Sequence, residues 1–232
     1  MIVDNQPMSS PTDWHPVAAA HSLGGGENIV ATRVLGQDLA VWRSATGLAQ
    51  AWLDRCPHRG VRLSLGRVVG DRLACAYHGW EFAAESGLCV AIPALADLAE
   101  VPGRVQAGVC GVTEARQMVW VRLQSGASAP AGDAPVALPT DASTDTFLCT
   151  IALRAGISAV HGVLQRKGFE PEGLAAWRGA LGDRRLRLFT QCAQADMVLL
   201  HAWACEPRTN APHAPVFAAL RRLRSDADAA AS

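Results

Sequence analysis

The sequence has no run of like charges and no surplus of either sign. Its 21 basic residues balance 21 acidic residues among 232 positions. Binding to nucleic acid or to an acidic lipid surface needs a concentrated basic field, which this chain lacks. We therefore expect no nucleic acid and no membrane as partners, and small molecules or other proteins instead.

Long apolar stretches are also absent. The most apolar late segment, Met197–Cys205, is far too short to cross a bilayer. The N-terminus has no basic start followed by an apolar core, so no signal peptide is expected. Five of the seven cysteines stand at irregular spacing, which is typical of buried free thiols. The reducing cytoplasm is the expected location.

Composition divides the chain into three parts. Short apolar or β-branched segments, separated by Gly-containing turns, predict a small antiparallel β sandwich or barrel within residues 1–124. Residues 125–145 are rich in Ala, Pro, Gly and Ser, which is typical of a linker. Residues 146–232 predict a small α+β domain.

Within that last part, individual elements can be assigned. Alternating apolar residues from Phe147 to Leu153 predict a strand, and Ile157–Lys167 predicts a helix that ends before Gly168. Two further strands are expected to form a hairpin around residues 194–196. A basic amphipathic helix is expected at Phe217–Leu223, followed by a fraying tail.

Two short motifs carry the chemistry. Cys56 and His58 lie in one loop, Cys75 and His78 in another, and sixteen residues separate the two motifs. Two thiolates for one iron and two imidazoles for the other make the donor set of a Rieske 2Fe–2S cluster. Turns at the glycines can aim backbone amides at sulfur, and the aromatic rings can limit water. The five residues that we expect to surround the ligands are Arg59, Gly60, Tyr77, Gly79 and Trp80.

The two motifs resemble those of a known family, the terminal subunit of the Rieske non-haem iron (ring-hydroxylating) oxygenases. They read Cys-Pro-His-Arg-Gly and Cys-Ala-Tyr-His-Gly-Trp. Residues 13–124 carry the resemblance, including the opening Thr-Asp-Trp-His-Pro-Val-Ala. It implies a β domain with a Rieske [2Fe-2S] cluster, a reductase or ferredoxin as electron donor, and an oligomer. Respiratory Rieske proteins carry an additional cysteine in each loop, where this chain has Val61 and Tyr77. The resemblance therefore implies the low-potential oxygenase branch without a disulfide.

Zinc is the alternative for a set of two cysteines and two histidines. Zinc fingers usually keep their cysteines together and their histidines together. Here each loop contributes one of each, which favours the cluster.

The second half lacks the motif for a mononuclear iron. The family resembled here writes two iron ligands as Asp-x-x-His-x-x-x-x-His, whereas this chain offers His161 alone, with Arg166 at the second histidine position. Other donors have no spacing that directs them to one point: His201, His213, Glu170, Glu172, Asp183 and Asp196. We expect these residues to be structural.

Three functions remain open. The first is an electron-transfer component partnered with a separate iron-bearing oxygenase subunit. The second is a complete small terminal oxygenase that hydroxylates or demethylates a substrate at an unrecognised iron site. The third is a non-enzymatic assembly subunit that uses the cluster structurally or as a sensor.

Overall fold

A computed structural model describes residues 13–24, 28–95, 105–123, 145–173, 175–206 and 214–230. The chain divides into two compact units, one of Val17–Ala131 and one of Met1–Pro16 with Gly132–Ser232. Apart from Asp145, the expected linker lies outside the described residues, so the domain boundaries stay a prediction. No helix in the described ranges is long and apolar enough to span a membrane.

Ten short strands and two 3₁₀ helices occupy the described residues up to 123, and three antiparallel sheets result, with strand orders β1-β10-β9, β2-β3-β4 and β5-β6-β7-β8. The 3₁₀ helices are Ala20–Leu23 and Leu63–Leu65. The strands are β1 His15–Ala19, β2 Val30–Val34, β3 Gln37–Arg43, β4 Ala49–Leu53, β5 Arg67–Val69, β6 Arg72–Ala74, β7 Glu81–Ala83, β8 Cys89–Ala91, β9 Gly111–Ala115 and β10 Met118–Arg122.

Strand β3 separates two apolar cores because successive side chains point to opposite faces of a strand. Val41 packs into one core with residues of β2, β4 and β10. Trp42 packs into the other, where it meets Trp52 edge to face with ring centroids 5.1 Å apart. Cys56 and Cys75 belong to this second core. The two thiols therefore lie on an apolar base.

A five-stranded antiparallel sheet and two helices form the second unit, with strand order β11-β15-β14-β13-β12. Both helices contribute to one apolar core with residues from β13, β14 and β15. The elements are β11 Thr146–Leu153, α1 Ile157–Arg166, β12 Glu170–Pro171, β13 Ala176–Leu181, β14 Arg184–Gln194, β15 Met197–Ala204 and α2 Ala214–Ala229.

The expected fold class, a mainly β first domain followed by a small α+β domain, is confirmed. The helix ending before Gly168 and the hairpin around residues 194–196 are also observed. Strand β13 was not expected because Gly179 interrupts its apolar pattern. A Cβ at Gly179 would lie 2.6 Å from the Phe169 ring, so close packing explains this glycine.

The expectation of a fraying tail after Leu223 is wrong, because α2 continues to Ala229. Two carboxylates of the tail hold it in place. Asp226 lies 2.6 Å from Lys167 Nζ, and Asp228 accepts the backbone N–H of Arg154 at 2.7 Å. Ala227 is buried between these contacts.

Candidate metal centre

The first motif forms a tight loop directly after β4. The N–H of Cys56 donates to the carbonyl of Val61 at 2.8 Å, and the N–H of Gly60 donates to the carbonyl of Cys56 at 2.8 Å. Gly60 has φ +74°, a conformation that favours glycine. A Cβ there would also approach Arg55 Nε to 3.2 Å.

The second motif repeats this backbone pattern between β6 and β7. The N–H of Cys75 donates to the carbonyl of Trp80 at 2.9 Å, and that of Gly79 donates to the carbonyl of Cys75 at 3.0 Å. Gly79 has φ +70°, and a Cβ there would lie 3.0 Å from Pro93 Cγ. The two loops therefore present their cysteines in the same way.

Both cysteines are buried and close enough for their thiols to interact. The pKa of the Cys56 thiol is raised to about 11, chiefly by burial and to a smaller extent by the neighbouring Cys75 thiol, while hydrogen bonds from the backbone of His58 and Arg59 oppose the rise. The amides near sulfur thus include those of residues 58 and 59. The amides of Gly60 and Gly79 themselves bond to the carbonyls of Cys56 and Cys75 and close the two turns.

The two histidines lie at the surface and face each other. Nδ1 of His58 and Nδ1 of His78 are 3.2 Å apart. Desolvation, followed by the neighbouring charges of His78 and Arg59, lowers the pKa of His58. A low pKa favours the neutral imidazole, which is the form that binds iron.

An aromatic ring stacks on each imidazole. Trp80 lies parallel to His58, with ring centroids 4.2 Å apart and planes at 7°. Tyr77 stacks on His78 at 3.8 Å, and its own side chain is 57% exposed. Because Trp80 belongs to the second loop and His58 to the first, their contact joins the two loops.

Asp54 is a supporting residue that sequence reasoning missed. Its buried carboxylate accepts the backbone N–H and the hydroxyl of Ser64, both at 2.6 Å. This pair connects the start of the first loop to the 3₁₀ helix that follows it. The only signal in the sequence was an acidic residue two positions before Cys56, which is too common to single out.

The donor set fits a Rieske 2Fe–2S cluster. Two thiols lie together over the apolar core, and two imidazole Nδ1 atoms lie together at the surface, as one iron with thiolate ligands and one with imidazole ligands require. In the described part of the chain, no three His, Cys, Asp or Glu side chains form a group that could hold a metal ion. A tetrahedral zinc site would bring all four donors to one ion.

The candidate iron ligands of the second unit do not converge. His161 Nε2 contacts the hydroxyl of Thr190 at 3.3 Å, while His201 Nε2 donates to Gln191 Oε1 at 2.8 Å. Thr190 and Gln191 are adjacent on β14, so their side chains point to opposite faces of the sheet. His161 and His201 therefore lie on opposite faces.

Both of these histidines are kept neutral. Burial lowers the pKa of His201 to about 4 and that of His161 to about 4. The hydroxyl of Thr150 contacts His201 Nδ1 at 2.8 Å, which completes the bonding of a neutral ring whose Nε2 donates to Gln191. His213 lies outside the described residues.

The candidate carboxylates are separated in the same way. Glu172 binds Arg187 at 2.6 Å, and Asp196 accepts a hydrogen bond from Gln194 at 2.7 Å. Arg187 itself is almost completely buried and also pairs with Asp145. A buried arginine within this apolar strand was not expected from the sequence.

Comparison with known proteins agrees with the donor set of the two loops. Residues 13–102 match the family model described as the Rieske [2Fe-2S] domain. This chain carries a Rieske domain. The domain indicates a Rieske-type 2Fe–2S cluster, as the two motifs predicted.

The sequence relatives include oxygenase-type proteins. Oxidoreductase NdmD of Pseudomonas putida is 35% identical over 157 residues, which cover 66% of this chain and 26% of that protein. The 3-chlorobenzoate-3,4-dioxygenase oxygenase subunit of Comamonas testosteroni is 38% identical over 110 residues, covering 47% of this chain and 25% of that subunit. The Rieske chain is thus homologous to Rieske non-haem iron oxygenases and spans about a quarter of these two relatives.

Among solved structures, apo dicamba monooxygenase superposes with a TM-score of 0.70. The alignment covers 95% of this chain and 86% of the dicamba monooxygenase chain, at 16% sequence identity. At this level of identity the likeness concerns the fold. It extends beyond the Rieske domain to nearly the whole chain.

Proposed function

We propose that this chain is the electron-transfer component of an oxygenase-type redox system. It receives one electron from a reductase or ferredoxin and passes it to iron in a separate oxygenase subunit. Cys56, His58, Cys75 and His78 are the proposed ligands of a Rieske [2Fe-2S] cluster, which supplies a one-electron carrier when bound.

The observation that carries this proposal is the contrast between the two donor sets. In the loops the two cysteines are buried together, while His58 is half-buried and His78 is exposed with its Nδ1 facing that of His58, as a cluster with a surface edge requires. In the second unit, His161 and His201 are bonded to opposite faces of one sheet. No third donor joins either of them among the described residues.

The residues of the loops have separable tasks. Cys56 and Cys75 would hold one iron next to an apolar core that limits water. His58 and His78 would hold the other near the surface, where an electron could enter or leave without crossing the protein interior. Trp80 keeps the plane of His58 in place by stacking.

Turnover with a separate oxygenase tests the proposal. The purified chain should be reduced by a reductase or ferredoxin and should not oxidise any substrate by itself. Adding an iron-bearing oxygenase subunit that lacks a working Rieske cluster should restore product formation. Product formation by the isolated chain with only a reductase supplied would instead establish a complete terminal oxygenase.

A further inference from the structure

A shallow cavity of about 270 Å³ lies beside the first cluster loop. His58, a proposed ligand and part of the surface edge of the cluster, forms part of its wall. The other residues that matter here are Arg55, Pro57, Arg59 and Gln106. A group seated in this cavity would therefore touch the imidazole through which an electron can reach the cluster.

Two guanidinium groups in this wall have no carboxylate partner among the described residues. Within the described ranges, neither Arg55 nor Arg59 forms an ion pair, whereas Arg62 pairs with Asp38 and Arg72 with Glu81. Both are exposed residues on a loop whose backbone is fixed by hydrogen bonds. Arg55 is further positioned because its guanidinium lies across Gly60.

The charge of the cluster segment differs from that of the whole chain. Residues 55–78 contain five arginines and one carboxylate, Asp71, although the complete chain has a formal net charge of zero. Asp71 accepts the backbone N–H of Thr46 at 3.0 Å. Asp38 and Glu81 neutralise Arg62 and Arg72, so the excess positive charge beside the cavity comes mainly from Arg55 and Arg59, and an acidic surface would be attracted to it.

We propose that Arg55 and Arg59, with the cavity beside His58, form the docking site for an acidic one-electron carrier protein that serves as the electron donor. The inference rests on the proposed function and adds the chemistry of the partner. A shallow, charged and exposed site suits a transient electron-transfer encounter, whereas a permanent oxygenase subunit would need a larger and more apolar interface.

The transfer at this site balances simply. The donor would lose one electron, and a cluster held by the two cysteines and two histidines would gain it. No bond is made or broken, and no co-reactant is needed.

Stopped-flow reduction of the full chain tests the site. The reductant is a plant-type [2Fe–2S] ferredoxin of strongly negative net charge, whose potential lies below the Rieske range. Rates are measured from about 0.01 M to about 1 M ionic strength, over which the Debye length falls from about 30 Å to about 3 Å. The variant is Arg55→Gln with Arg59→Gln, and the matched control is Arg221→Gln with Arg222→Gln on helix α2.

The unmodified chain should be reduced fast at low salt and progressively more slowly as salt rises. The loop variant should lose about tenfold in second-order rate at low salt and most of its salt dependence. The α2 control removes the same charge and should behave like the unmodified chain. Reduced methyl viologen, a small cation that needs no docking site, should reduce the α2 control at the rate of the unmodified chain and the loop variant at least as fast, because fewer positive charges repel it.

The docking proposal is refuted if the loop variant keeps the reduction rate and salt dependence of the unmodified chain. It is also refuted if the α2 control loses as much of the reduction rate as the loop variant does. It is also wrong if viologen reduces the unmodified chain while the acidic ferredoxin does so at no salt concentration. If viologen fails as well and no Rieske spectrum appears, the proposed function fails, and not merely the docking site.

Discussion

Two pairs of histidines, one pair in each unit, differ in the properties that decide metal binding. His58 and His78 lie at the surface with facing Nδ1 atoms 3.2 Å apart. His161 and His201 are bonded to Thr190 and Gln191 on opposite faces of one sheet. A histidine is available as a metal ligand where the backbone brings a second donor to it, whereas a neighbouring strand that satisfies its hydrogen bonds makes it a core residue.

Removing a proposed ligand should have the largest effect. Cys56→Ser or His78→Ala should abolish the cluster, because a hydroxyl or a methyl group cannot replace thiolate or imidazole on iron. Iron content, visible absorption and electron paramagnetic resonance of the reduced protein measure the loss. His161→Ala, in the other unit, should retain both irons. Survival of a Rieske-type spectrum in either loop variant would refute the ligand assignment.

The second largest effect should follow from removing Arg187, the buried cation of the second unit. Arg187→Met leaves Asp145 and Glu172 without their buried partner, so we expect a loss of about 3–5 kcal/mol in the free energy of unfolding of this unit. Arg178 also pairs with Glu172 but is 42% exposed, and Arg178→Met should cost less than about 1 kcal/mol. Urea titration with circular dichroism compares the two. Equal losses would contradict the account of the buried pair.

The pH dependence of stability should reflect the buried histidines. A histidine binds a proton near pH 6.5 in the unfolded chain, whereas burial lowers the pKa of His201 to about 4 in the folded chain. The unfolded state therefore gains protons first as pH falls, so the contribution of this histidine to the free energy of unfolding should be constant above about pH 6.5 and decrease from about pH 6.5 to about pH 4.

His201→Gln should make this decrease smaller, and adding His161→Gln should make it smaller still, because the pKa of His161 is also lowered to about 4. Urea titrations at a series of pH values measure the change. An unchanged decrease in the double variant would show that other groups cause it.

The smallest effect concerns the ring that joins the two loops. Trp80→Leu removes the stack on His58 and should lower the free energy of unfolding of the Rieske domain by about 0.5–1.5 kcal/mol, with both irons retained. Trp80→Phe keeps a ring in place and should lose less. Loss of iron in the leucine variant would mean that Trp80 is required to hold the cluster.

The spacing of the cluster motifs could be interpreted from sequence because it is local. Each ligand pair lies within four residues and is followed by a glycine, so the loop carries its own geometry. The supporting contacts are not local in this sense. Asp54 reaches Ser64 across ten residues, and Arg187 reaches Asp145 across 42. Such partners become visible only when the strands are assembled.

The second unit was predictable in class but not in detail. The period of α1 and the hairpin of β14 and β15 follow from apolar patterning. The full length of α2 depends on Lys167 and on the backbone of Arg154, which lie far away in sequence. The glycine at position 179 also depends on a contact outside its own strand, because a side chain there would collide with the Phe169 ring.

Iron and acid-labile sulfide per chain, measured together with the electron paramagnetic resonance spectrum of the reduced protein, test the central claim most directly. We expect about two irons and about two sulfides per chain, with a Rieske-type signal as the only iron signal. A third, tightly bound iron, with a non-haem signal that persists in a Cys56→Ser variant, would contradict it.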